Sequence, residues 1–159
     1  MRITIIAVGK IKEKFYRDAI AEYTKRLSRY CKLEILEVSD EKTPDAASEA
    51  LENQIKEAEA NRILKAIKDD AYVIATAIHG VHYDSIAFGE KIHKLGVYGE
   101  SHIVFVIGGS LGLHDSVYKR ANEKISFSKM TFPHQLMRVI LLEQIYRGFR
   151  IVAREPYHK

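Results

Sequence analysis

Short apolar runs alternate along the first half of the chain with segments in which hydrophobic residues recur at helical spacing. Residues 3–8 are rich in β-branched side chains and stop at Gly9, which is typical of a strand buried on both faces. Between residues 16 and 30, apolar positions repeat every three or four residues, which predicts an amphipathic helix. Residues 33–38 alternate apolar and acidic side chains and predict a half-exposed strand. A thin apolar stripe predicts a second helix between residues 44 and 68.

The second half of the chain continues this alternation and contains the most apolar strand and the most apolar helix. The predicted elements are a strand over 72–78, a helix over 85–95, a strand over 102–107, a helix over 115–122, a strand over 125–128 and a helix over 134–149. Pro133 opens the final helix, since proline is favoured in a first helical turn. Such alternation is typical of an α/β domain, so we expect a mainly parallel sheet of about five strands with flanking helices.

The composition indicates one folded domain over residues 1–159. Hydrophobic residues make up 47% and charged residues 29%, which argues against disorder. No apolar stretch approaches the length needed to cross a bilayer and no signal-peptide core is present, so we expect a cytoplasmic protein with no membrane partner. The lone Cys31 excludes an intramolecular disulfide. The seven histidines form no H-E-x-x-H motif, so we expect no metal site.

Charge is distributed unevenly along the chain. The formal net charge is +4. Residues 1–31 carry +5 and residues 119–159 carry +6, whereas the segment between them has a net negative charge. If the fold brings the two basic ends together, they would present one positive face to an anionic partner such as nucleic acid. The alternative is that these side chains simply solvate helix faces.

Two loops are candidate ligand sites. The first, residues 108–113, follows a strand and contains three glycines, so it is either a ligand loop or a tight turn. It lacks the G-x-G-x-x-G pattern, and no phosphate-binding P-loop occurs, which disfavours dinucleotide or ATP binding. The second, residues 126–134, offers hydroxyls and an apolar wall to a purine. Alternatively, Thr131 caps the last helix while Met130 and Phe132 fill the core beneath it.

The final helix is apolar on nearly all its sides. Such a helix must be buried, either in a dimer interface or within one subunit. His134 and Arg138 lie one turn apart near its start. Burying Arg138 unpaired among such neighbours is costly, so we expect a functional or interfacial anion beside it. Glu143 and Arg147 have the spacing and order of a structural ion pair.

Several ordered motifs carry a resemblance to a known family. The motifs are residues 5–10, 106–113, 126–134, Met137-Arg138, 143–147 and 156–159. In these segments, and over its whole length, the chain resembles the bacterial 23S rRNA pseudouridine-N3 methyltransferases of the SPOUT class. It departs from the common pattern at Gly148, where alanine is usual, and at Leu111, where a polar residue is frequent.

The resemblance implies a homodimer formed through the C-terminal helix, with a deep trefoil knot in about residues 72–159. S-adenosylmethionine (SAM) would bind in the knot. The matching positions are Ala75, Thr76, Gly108, Gly109, Phe127, Ser128, Lys129, Met130, Thr131 and Phe132. The implied substrate is a pseudouridine in the 23S rRNA of assembled ribosomes.

The chemistry of methyl transfer suggests roles for the remaining polar residues. N3–H of pseudouridine is weakly acidic, so a general base or an anion-stabilising cation would help. The candidates are His134, Arg138, Tyr157 and His158, and in a dimer the tail of one subunit could complete the pocket of the other. Arg2 and Lys10 would hold rRNA phosphates. Two other classes stay open, a flavin- or nucleotide-using enzyme and a catalytically inert RNA-binding factor.

Overall fold

The fold is a five-stranded parallel sheet with helices on both faces. A computed structural model describes residues 1–159. The elements in chain order are β1 (Arg2–Val8), α1 (Lys14–Leu27), β2 (Lys32–Val38), α2 (Glu49–Ala66), β3 (Tyr72–His82), α3 (Ser85–Val97), β4 (His102–Ile107), α4 (Asp115–Arg120), β5 (Glu123–Ser126) and α5 (His134–Val152). The strand order is β2-β1-β4-β3-β5, and every neighbouring pair is parallel. The predicted fold class is therefore confirmed.

The two faces of the sheet support two separate hydrophobic cores. Ile3, Ile5 and Ala7 of β1 point toward α1, α3 and α5, whereas Ile6 and Val8 point toward α2 and α4. Successive side chains of a strand alternate between faces, so a central strand covered on both sides is apolar at nearly every position. This explains why β4 and β1 read as apolar runs that could be predicted directly. Thr4 is the buried exception in β1, and it hydrogen-bonds the His102 ring.

β3 is longer than its sequence predicts and contains an irregularity. It continues from residue 78 to His82, and its register with β5 shifts between Thr76 and Val81. Gly80 lies in this segment so close to β5 that a Cβ atom there would come within 2.6 Å of the Ile125 carbonyl carbon. The extension therefore depends on a close backbone approach.

Helix ends and the last strand also differ from the predicted bounds. α5 continues three residues past 149 to Val152, and β5 occupies 123–126, two residues earlier than predicted. Pro133 is the N-cap of α5 rather than its first helical residue. None of the helices combines the length and the apolar character that crossing a membrane requires.

Helices α3 and α5 touch at a pair of glycines. A Cβ at Gly89 would lie 2.8 Å from the Gly148 Cα, and a Cβ at Gly148 would lie 2.9 Å from the Gly89 Cα. Both contacts are with backbone, which cannot rotate away. Glycine at 148, the position where the sequence departs from its family pattern, therefore lets the two helices approach this closely.

We expect Gly148→Ala to lower the free energy of unfolding by about 1–2 kcal/mol, because overpacking outweighs the roughly 1 kcal/mol gained in helix propensity. Urea denaturation monitored by circular dichroism measures the change. Gly96→Ala in α3 is the matched control, since its new Cβ meets only the flexible end of Met1. If Gly148→Ala were as stable as the control or more stable, the α3–α5 contact would have room for a Cβ at this position.

Candidate functional site

A cavity of about 680 Å³ opens at the carboxyl ends of β3, β4 and β5. Three segments line it, namely residues 76–79, 107–113 and 125–134 without Lys129, together with Tyr118 and Met137. We call it the carboxyl-end cavity. Parallel sheets place ligand sites at this edge, because the loops that leave neighbouring strands converge there. Both candidate loops from the sequence therefore meet at one site.

The glycine loop after β4 is both a tight turn and a wall of this cavity. A Cβ at Gly108 would lie 2.8 Å from the carbonyl carbon of Gly112. Gly112 has φ of +82° and its N–H donates to the carbonyl of Gly109 over 3.1 Å. The two interpretations of this loop are therefore compatible, since the glycines close the turn and also expose its backbone to the cavity.

The second loop, residues 127–133, is held by hydroxyl hydrogen bonds. The Ser126 hydroxyl donates to the Ser128 carbonyl over 3.1 Å, and the Ser128 hydroxyl accepts from the Met130 N–H over 2.9 Å. Phe127 and Phe132 pack against the core, but Met130 is 75% exposed. The alternative in which Met130 fills the core and Thr131 caps α5 is wrong, since Pro133 is the N-cap and α5 has no side-chain cap.

Most of the candidate cofactor residues line the carboxyl-end cavity. Those that do are Thr76, Gly108, Gly109, Phe127, Ser128, Met130, Thr131 and Phe132. Ala75 is fully buried one residue before the lining begins, and Lys129 has an exposed side chain that is not part of the lining. The structure thus brings eight of the ten positions to one cavity.

His134 combines a cavity position with an unused polar atom. It lines the carboxyl-end cavity, and its Nδ1 atom is buried without a hydrogen-bond partner. Burial, assisted by the positive charge of Arg138, lowers the pKa of the His134 imidazole below its usual value of 6.5. The ring is therefore neutral at pH 7 and can accept a proton or a hydrogen bond.

The Arg138 guanidinium forms hydrogen bonds with two groups of its own chain. Its side chain is buried, and its Nη1 atom donates to the Glu37 carboxylate over 2.7 Å while Nη2 donates to the Gly9 carbonyl over 3.1 Å. The expectation of a functional or interfacial anion at Arg138 is wrong, since the anion is Glu37 of β2 in the same chain. These contacts fix the start of α5, and with it His134, against the end of β1.

The C-terminal tail lies along α5. The Tyr157 hydroxyl donates to the Glu143 carboxylate over 3.0 Å, and the Arg147 guanidinium lies 4.7 Å from the centre of the Tyr157 ring. Arg147 also contacts His158, with 3.2 Å between Nη1 and Nδ1. The predicted Glu143–Arg147 ion pair is confirmed, at 2.6 Å.

The tail and the carboxyl-end cavity of the same chain are far apart. Arg147 follows His134 by 13 residues of helix, which corresponds to about 20 Å. The structure therefore does not bring Tyr157 or His158 to His134 and Arg138. Burial and the neighbouring Glu143 raise the pKa of Tyr157 to about 12, so its hydroxyl stays protonated at neutral pH.

Arg2 and Lys10 lie at opposite ends of the sheet. Arg2 begins β1, and Lys10 is exposed just after Gly9 at the end where the carboxyl-end cavity opens. Eight residues of extended chain separate them, or roughly 25 Å. They therefore belong to two different surfaces.

Two further side chains of the cavity wall, one imidazole and one phenol, could not be identified from the sequence. His79 and Tyr118 both line it, with ring centres 5.1 Å apart. His79 was missed because β3 extends beyond its apolar run, and the only local signal was the following Gly80. Tyr118 lies on a six-residue helix and carried no signal. No group of three or more His, Cys, Asp or Glu side chains could hold a metal ion.

Comparison with known proteins adds a family assignment to this geometry. A family model described as "Predicted SPOUT methyltransferase" matches residues 1–158. The chain is 64% identical to the ribosomal RNA large subunit methyltransferase H of Bifidobacterium adolescentis, over 159 residues and 100% of both chains. It is 63% identical to proteins of the same name from Clostridium tetani and Clostridium beijerinckii, again over 100% of each. The matched region includes every residue that lines the carboxyl-end cavity.

Proposed function

Because the chain belongs to the SPOUT methyltransferase family, we propose that it methylates N3 of a pseudouridine in the 23S rRNA of assembled ribosomes, with SAM as methyl donor. One observation carries the proposal. Two loops and a segment of β3 meet in a single cavity at the carboxyl ends of parallel strands, in a chain that matches large-subunit rRNA methyltransferases from end to end. The family accounts for methyl transfer, and the relatives' names point to the RNA.

The residues of the carboxyl-end cavity fit a nucleoside ligand. Gly108 packs against the Gly112 backbone with no room for a Cβ, and the tight turn that results lines the cavity with its glycines. Phe127 and Phe132 offer apolar surface, and Ser128 and Thr131 offer hydroxyls. The unpartnered Nδ1 of His134 is a buried polar atom that lacks a protein partner. We therefore assign Thr76, Gly108, Gly109 and the 127–132 loop to SAM binding.

SAM supplies an electrophilic methyl group when it is bound, so the protein must mainly align the base and exclude water. His134 is neutral at pH 7 and is suited to accept the N3 proton of the target base. Arg138 acts as a positioning residue, because its contacts to Glu37 and Gly9 hold the helix turn that carries His134. Lys10 lies at the same end of the sheet and is assigned to an RNA phosphate.

The distance between tail and cavity supports a homodimer with shared sites. Tyr157 and His158 contact Glu143 and Arg147, which lie about 9 and 15 Å along α5 from Met137 at the edge of the cavity. Neither tail residue lines the cavity of its own chain, and we assign both to the cavity of a second copy. Several apolar side chains of α5, including Val139 and Ile140, remain only half-buried in one chain. Pairing two copies through α5 would cover them.

The topology and location follow from the same proposal. Residues 1–159 form one domain, and residues 72–159 contain a trefoil knot in which the 107–113 and 127–133 loops lie side by side. Their shared lining of the carboxyl-end cavity supports this arrangement. A ribosomal substrate implies action in the cytoplasm.

Gly108→Ala should weaken SAM binding by about tenfold or more, equivalent to roughly 1.4 kcal/mol, because the new Cβ would clash with the Gly112 backbone and open the turn. Isothermal titration calorimetry measures the dissociation constant. Gly96→Ala, far from the cavity, controls for a general effect of the substitution. Unchanged SAM affinity in a folded Gly108→Ala protein would remove this loop from the cofactor site.

A further inference from the structure

A second cavity lies at the opposite edge of the sheet. It has a volume of about 400 Å³ and opens at the amino ends of β1, β2 and β4, on the face covered by α2. Its polar lining consists of Arg2, Thr4, Lys32, Glu34, Lys68 and His102. We call it the amino-end cavity. It is separated from the carboxyl-end cavity by the length of the strands, or roughly 20 Å, and has no part in the proposed methyl transfer.

Unpaired positive charge dominates this cavity. Three cationic side chains, Arg2, Lys32 and Lys68, line it together with a single carboxylate, Glu34. None of these three cations takes part in any of the seven salt bridges of the structure. Cations that outnumber the carboxylates of a concave site and form no salt bridge with them attract an anion.

The backbone that carries these cations is fixed. The Arg2 N–H donates to the Ser101 carbonyl over 2.8 Å, and the Lys32 N–H donates to the Met1 carbonyl over 3.0 Å. Arg120 donates to the carbonyls of Lys68, Asp69 and Ala71, which holds the turn after α2. The cluster is therefore set by the fold and does not depend on a mobile loop.

The interior of the cavity is suited to more than a bare ion. Leu36, Ala66 and Val104 give it an apolar floor. Thr4 is almost fully buried and hydrogen-bonds the His102 ring, with 2.8 Å between Oγ1 and Nε2. A floor of this kind can contact a sugar or a base while the cationic rim holds a phosphate, and the volume lies within the range of small-ligand pockets.

We propose that the amino-end cavity binds a nucleotide unit of the RNA substrate, with its phosphate between Arg2, Lys32 and Lys68. The identity of the ligand as RNA rests on the proposed function, but the phosphate chemistry rests on the cavity alone. Bound there, the RNA would contact the protein at both edges of the sheet. This second contact fixes its orientation relative to the carboxyl-end cavity without reading its sequence.

The test compares two double variants that remove the same charge. Lys32→Gln/Lys68→Gln alters the cavity, whereas Lys65→Gln/Lys94→Gln removes two exposed lysines that neither line it nor form salt bridges. The probe is a fluorescein-labelled twelve-nucleotide oligouridylate, titrated by anisotropy at several salt concentrations. We expect the cavity variant to bind about tenfold more weakly than the control, with a salt slope smaller by about 1.4, since each single-strand phosphate contact contributes roughly 0.7.

A site-specific readout separates this cavity from other basic surface. Imidazole NMR resonances of His102 should move on addition of the oligouridylate, and those of His134 should move less. Uridine monophosphate is the second probe. If it also shifts the His102 resonances, a free nucleotide is enough to occupy the cavity. If only the oligouridylate shifts them, binding requires neighbouring nucleotides of the chain, and both results support the site. Equal RNA binding by the two double variants, or unmoved His102 resonances, would overturn it.

Failure of the proposed function would look different. SAM affinity, measured by calorimetry, should be the same in both double variants and in the unaltered protein. A protein that binds no SAM but loses RNA affinity specifically in Lys32→Gln/Lys68→Gln would keep the amino-end cavity as an RNA site and reject methyl transfer.

Discussion

Deleting Tyr157, His158 and Lys159 should lower the methyl-transfer rate by about a thousandfold, within the range attributed to a lost acid–base or orienting group, and leave SAM affinity nearly unchanged. The tail contacts α5 at Glu143 and Arg147, about 9 Å or more along the helix from Met137, and it does not line the SAM site that its own chain forms. The fold should survive, because Tyr30, Arg150 and Glu155 anchor the chain just before the deletion.

Single substitutions and mixed dimers sharpen this prediction. Tyr157→Ala should reproduce most of the loss, whereas Tyr98→Ala, at a tyrosine that is 81% exposed elsewhere, should leave the rate unchanged. Dimers that combine a tail-deleted subunit with a Gly108→Ala subunit contain one complete site with an unaltered SAM loop if tails act across the dimer, so activity should return with the unaltered KM for SAM. If each tail served its own chain, activity would return only with the KM for SAM of Gly108→Ala. Equal loss of SAM binding on deleting the tail, or no recovery in the mixed dimer, would refute the division of labour.

Glu37→Ala should lower the free energy of unfolding by about 3 kcal/mol, the lower end of the range for breaking a buried ion pair. It removes the carboxylate 2.7 Å from Arg138 and leaves a buried cation with only the Gly9 carbonyl as partner. Glu37 itself is 38% exposed, so water can partly replace it, which places the loss at the lower end.

A double-mutant cycle identifies the ion pair as the cause. Adding Arg138→Met to Glu37→Ala removes the unpaired cation and should recover part of the stability, measured by urea denaturation. Glu34→Ala on the same strand has no ion-pair partner and should change stability by less than about 0.5 kcal/mol. Strictly additive losses at 37 and 138 would contradict the coupling and leave Arg138 free for a direct catalytic role.

The elements that could be predicted from the sequence are those in which burial restricts the residue type at nearly every position. β1 and β4 lie in the middle of a sheet covered on both faces, so their apolar runs admit few other structures. The extension of β3 to His82 could not be predicted, because residues beyond 78 are exposed and are held by the close approach of Gly80 to β5. Such an approach is a tertiary property that no local pattern encodes.

The candidate site also has parts that local sequence patterns reveal and parts that depend on the tertiary structure. The loops at 108–113 and 126–134 could be found because glycine and hydroxyl clusters follow predicted strands. The partner of Arg138 could not, because Glu37 lies 101 residues earlier and meets it only through the sheet order that places β2 beside β1. The separation of Tyr157 from the cavity likewise depends on where the tail folds back along α5.

The central claim is tested most directly by transfer of tritiated methyl from SAM to purified ribosomes that lack the native modification. Two ribosome preparations are needed, one with pseudouridine at the target position and one with uridine there. We expect incorporation into 23S rRNA only when pseudouridine is present. Equal incorporation with uridine would contradict the substrate, and no incorporation into either preparation by a SAM-binding protein would contradict the assignment to this RNA.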